Sequence, residues 1–120
     1  MDFNPENTGQ MLSGAIENGL YDELVQQLRK DFEHVNIAFL IGTDVDSGAL
    51  ETTLKEKIYV LLLEDFEGYL NLMYSIDVPE ASFATIKPTD AVDVSEQVVF
   101  LVLKRIYQKV YFKRIYSKKS

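Results

Sequence analysis

The sequence predicts an all-α protein, a bundle of three main helices plus a short N-terminal one, and two observations carry that prediction. Apolar residues recur at spacings of three and four over most of the chain, the period of a helix buried on one face. The prolines and most turn-forming residues, the usual punctuation, fall between those periodic stretches, although Gly9, Gly14 and Gly68 lie inside them. At 120 residues the chain is one domain's worth, so 1–120 is read as a single domain with 1–7 and 117–120 flexible. Its 47% apolar content is enough for a core without disulfides or a structural metal.

From Thr8 to Glu17 a short helix places Met11, Leu12, Ala15 and Ile16 on one face, and Asn18-Gly19 is its stop signal. A second helix, from about 20 to 34, puts Tyr21, Leu24, Val25, Leu28, Phe32 and Val35 opposite Glu23, Gln26, Gln27, Lys30 and Glu33. Residues 36–41 read equally well as a buried strand, which makes an α+β fold the alternative. The loop from Gly42 to Gly48 then offers Asp46 or Ser47 as an N-cap.

The third helix is the clearest. Leu54, Ile58, Leu61, Leu62, Phe66, Tyr69, Leu72, Met73 and Ile76 share a broad face and the pattern stops before Pro79. Gly68 inside it costs about 1 kcal/mol against alanine, or marks a bend. Residues 77–92 read as a connection. Asp93-Val-Ser-Glu96 matches a capping box for a last helix over about 94–116, with Val99, Val102, Leu103, Ile106 and Val110 as its core stripe.

Composition narrows the chemistry. No cysteine is present, which excludes disulfides, thiolate catalysis and sulfur-ligated metal sites. MDFNPENTGQ lacks a basic region leading into an apolar stretch, so no secretory signal is expected. The longest apolar runs, Ile58–Leu63 and Val98–Leu103, fall far short of the ~20 residues that span a bilayer. The expected location is cytoplasmic. Asp44-Val-Asp46-Ser-Gly48 resembles the start of a calcium loop, but Gly48, Ala49 and Lys55 stand where an oxygen ligand, a glycine and a glutamate are required. His34, the only histidine, falls on the polar side of its helix with no local relay partner. No catalytic, cofactor-binding or metal-ligating set emerges, and the chain is read as not an enzyme, with no cofactor.

Two features remain. Asp65 falls within the apolar face of the third helix, flanked by Leu54, Ile58, Leu61 and Leu72. A carboxylate there needs a donor, for which Lys109, Lys113 or a tyrosine hydroxyl are candidates, or it becomes a perturbed acid in a pocket. The net charge of −7 is also unevenly divided. Residues 1–100 carry all 19 acids and five bases, while 101–120 carry seven bases and no acid. Lys104, Arg105, Lys109, Lys113, Arg114 and Lys118 are therefore the candidate contacts to a partner or a nucleic acid. Docking of this helix on the acidic faces of its neighbours is the competing reading and the favoured one.

The stretch LLLEDFEGYLNLMYSIDVPE, followed by FLVLKRIYQKVYFKR, resembles a pattern in small uncharacterised bacterial proteins. Those have a helix ending in a Tyr-x-Ile-Asp segment and a last helix of the LxLKRxxQKVxxR kind. The resemblance implies a bacterial origin and a helical fold, and it implies no activity. Fourteen Phe and Tyr residues are more than a small three-helix core hides easily. The function expected is thus a protein-interaction or adaptor module, self-associating, with nucleic-acid binding or a small ligand-binding bundle around Asp65 as alternatives.

Overall fold

A computed structural model describes residues 5–119, with side chains through Ser117. The expectation of loose ends at 1–7 and 117–120 falls in part outside that range. The described residues form six helices: α1 (Thr8–Glu17), α2 (Tyr21–His34), α3 (Ser47–Glu64), α4 (Phe66–Ile76), α5 (Glu80–Phe83) and α6 (Ala91–Lys119). There is no strand among the described residues. The fold is all-α, but richer than three main helices and a short one.

The 29 residues of α6 amount to about 43 Å of helix, and the molecule's longest dimension is 42 Å. This helix is the spine. It packs against α1, α2, α3 and α4, most extensively α3, and buries Val98, Val99, Val102, Leu103, Ile106, Tyr107 and Val110. Tyr107 lies beside Gly14 and Arg114 reaches Gly19, so α1 runs parallel to the spine. Arg114 also reaches Glu23 and Lys109 reaches Asp31, so α2 runs antiparallel to it.

Three helices end the same way. Gly19, Asn36 and Asp77 take positive φ just past α1, α2 and α4. The next amide then bonds back five residues, Leu20 to Ala15, Ile37 to Phe32 and Val78 to Met73. In each case the residue after the left-handed one is apolar and turns into or onto the core.

The predicted third helix is two helices. Asp65 leaves the helical region (φ −148°, ψ 70°), its amide closing α3 on Leu61 and its carbonyl opening α4 to Tyr69. Its carboxylate accepts the Gly68 amide at 3.0 Å, so one residue is C-cap to α3 and N-cap to α4. Gly68 makes this possible, since a Cβ there would lie 2.8 Å from the Asp65 Cγ. The break resets the helical phase and leaves Asp65 exposed. Its reading as a buried polar group is corrected accordingly. Asp65→Ala is expected to cost about 1 kcal/mol as a lost cap, and Gly68→Ala in that background to return about 1 kcal/mol of helix propensity. Gly68→Ala alone, which expels the cap, should be near neutral. Urea unfolding of the three variants checks this non-additivity.

The start of α6 is also corrected. Asp90, not Asp93, caps it, accepting the Asp93 amide at 2.9 Å, while Asp93 accepts from Thr89 and Gln97. Residues 36–41 pair with no strand. Ile37, Phe39 and Ile41 still pack on the core while Ala38 and Leu40 face out, so the strand-like alternation is real although no ladder forms.

Candidate interaction surfaces

The basic helix end is largely committed within the molecule. Arg105 donates to the Asp77 carbonyl at 2.9 Å and to its carboxylate at 3.0 Å, capping the end of α4. Arg114 donates to the carbonyls of Asn18 and Gly19 at 3.2 and 3.0 Å and to Glu23, tying the end of α6 to the α1–α2 turn. Lys109 points inward. Its ammonium lies 3.1 Å from the Asp31 carboxylate and 3.3 Å from the Ser75 carbonyl. Lys104 stands 6.0 Å over the Phe100 ring. Of the candidate contacts, Lys113 is exposed, and the Lys118 side chain lies outside the described residues.

Asp31, absent from the sequence-derived candidates, is the buried acid of this fold at 6% exposure. Gln27 donates to it at 3.3 Å and the Ser75 hydroxyl at 3.2 Å, so α2, α4 and α6 meet on one carboxylate. Both carboxylate oxygens accept at least one of these bonds, and the cluster serves as a polar clamp. Asp65 does not line the groove between α1, α3 and α6, the hollow between α2 and the end of α6, or the one beside Phe32 and Phe39. His34 is exposed at the end of α2. Burial raises the phenol pKa of Tyr69, and raises that of Tyr21 together with Asp46 and Asp22. Tyr21 stays a donor, giving its proton to the Val45 carbonyl at 2.6 Å and pinning the loop before α3.

Two surfaces stand out. On α4, Phe66, Leu70 and Tyr74 recur at i, i+4 and i+8, with Phe66 57% and Tyr74 81% exposed. Leu63 is exposed just ahead of them and Glu64, Asp65, Glu67 and Asn71 lie around them. Elsewhere, a cavity of about 990 Å³ opens between the first turn of α1, one face of α3 and the start of α6. Val60 and Val92 give it apolar walls and Glu51, Glu56 and the Lys55–Glu96 ion pair (2.6 Å) its rim.

No family model, curated protein or solved structure matches the chain. Among the described residues no helix is long and apolar enough to cross a membrane, and no cluster of three or more metal-ligating side chains occurs.

Proposed function

We propose that this is a non-enzymatic protein-interaction module acting in the cytoplasm, in keeping with a chain that has no cysteine to lose to reducing conditions. The observation that carries the reading is the apolar ridge of α4. Three large side chains in register, exposed and surrounded by acids and an asparagine, have the apolar centre and polar rim of a binding surface. Isolated exposed apolar residues need no explanation, but an aligned ridge does.

The nucleic-acid reading draws less support, because Arg105, Lys109 and Arg114 are held by partners inside the fold. The ligand-binding reading around Asp65 loses its motive with that residue exposed and acting as a cap.

A photo-crosslinking amino acid placed at position 70 or 74 in living cells tests the proposal. Discrete adducts to another protein or to a second copy are expected from both positions and not from position 33, which is exposed on α2. Equal yields from all three positions, or none from 70 and 74, would count against the α4 ridge as a binding surface.

A further inference from the structure

We propose that the groove between α1, α3 and α6 receives the basic, aromatic end of α6 from a second copy of this chain. The inference rests on the reading of the protein as an interaction module and names the partner for one surface.

The groove is apolar within and acidic at its edge. Val60 and Val92 remain 44% and 48% exposed on its walls. Lys55, its only base, is already paired with Glu96. Glu51 and Glu56 have no ion-pair partner among the described residues, so the rim favours a cationic occupant with apolar side chains.

The end of α6 has that chemistry. Phe112 and Tyr116, one turn apart, are 50% and 67% exposed. Lys113 is exposed between them in sequence, Lys118 and Lys119 follow, and no acid occurs from residue 101 onward. Arg114 binds Asn18, Gly19 and Glu23, which holds this stretch of helix in place. The aromatic pair is therefore presented on a fixed element, and little conformational freedom is lost when it docks.

The occupant has to come from another molecule. Groove and basic end belong to the same unbroken helix, and residues 96 and 114 on it stand about 27 Å apart at 1.5 Å per residue. A helix cannot fold back onto its own first turns. Each copy thus offers one groove and one basic end at opposite ends of α6, and a two-fold pair satisfies both contacts at once.

Charge exchange tests this on the full chain by light scattering behind size exclusion at low salt. The groove variant carries Glu51→Lys and Glu56→Lys; the helix-end variant carries Lys113→Glu, Lys118→Glu and Lys119→Glu. Glu51, Glu56 and Lys113 have no hydrogen bond or ion pair from their side chains among the described residues, and circular dichroism checks that each variant is folded. The native chain is expected to run as a dimer that added salt dissociates. Each variant alone, with like charges facing, should self-associate at least about tenfold more weakly. An equimolar mixture of the two should restore the dimer, since both contacts in the mixed pair again oppose unlike charges. A native chain that is monomeric, variants that dimerise as the native chain does, or a mixture that stays monomeric would each overturn the proposal. Crosslinking from positions 70 and 74 is independent of these outcomes, so the α4 reading and the groove stand or fall separately.

Discussion

Lys109→Met is expected to destabilise the protein by about 3 kcal/mol, the low end of what removing one partner of a buried ion pair costs. Methionine keeps the apolar stem that runs between α2 and α4 and removes only the ammonium. Asp31 is then left buried with its charge opposed by two neutral donors, Gln27 at 3.3 Å and the Ser75 hydroxyl at 3.2 Å. Those two bonds are why the low end applies. The Ser75 carbonyl also loses the donor it had at 3.3 Å. For a chain of this size the loss corresponds to a fall in Tm of on the order of 10–20 °C. Asp31→Leu combined with Lys109→Met should recover most of it, because an apolar pair of similar volume has no desolvation cost to offset. Urea unfolding of the single and double variants measures the coupling. A single-variant loss below about 1 kcal/mol would show that water reaches Asp31 and that the clamp is not closed.

Phe32→Ala should cost about 3–5 kcal/mol, the range for truncating a fully buried ring. Phe32 is 1% exposed at the end of α2 and stacks on Phe39, with centroids 4.2 Å apart and planes 14° from parallel. Its carbonyl also accepts the amides of Val35 and Ile37 in the turn that ends the helix. The ring is therefore both core and the seat on which residues 36–41 rest. Two consequences are separable. The global transition moves to lower urea, and limited proteolysis within 36–46 accelerates beyond what the change in global stability explains. Phe39→Ala, which removes the partly buried member of the pair, should reproduce the second effect with a smaller first one. Equal proteolysis of both variants and the native chain would mean that residues 36–46 are held by something other than this stack, such as the Tyr21 bond to Val45.

The sequence displayed the periodic elements and hid the junctions. The helices over Thr8–Glu17 and Tyr21–His34, the stop at Asn18-Gly19 and the Asp46 cap all follow from local chemistry, and local chemistry is legible. The break at Asp65 is not legible on a helical wheel, which assumes one continuous phase. Asp65 and Gly68 at cap spacing were on view, but apolar residues on both sides hid the change of axis. At the start of α6, Asp90 and Asp93 both stand three residues before a suitable amide, and overlapping caps cannot be ranked from sequence.

The clamp is hidden in the sequence for a different reason. Asp31 lies seven residues after Leu24 and Lys109 seven after Val102, so each interrupts an apolar stripe. The reasoning that singled out Asp65 applies to both. Only the three-dimensional packing shows that these two interruptions meet while Asp65 turns outward. The α4 ridge was signalled only as a surplus of aromatic residues, since which face of α4 is left uncovered depends on the break at Asp65.

That the spine follows in sequence the helices that pack on it has a bearing on how the protein is made. A ribosome delivers α1, α2, α3 and α4 before it delivers the residues from Val98 to Val110 around which they gather. Until then Met11, Leu24, Leu54 and Leu72 lack the α6 side chains that complete their burial, and a nascent chain halted near residue 90 should bind chaperones that shield apolar surface. Emergence of α6 from the exit tunnel then supplies the face on which α1, α2, α3 and α4 close.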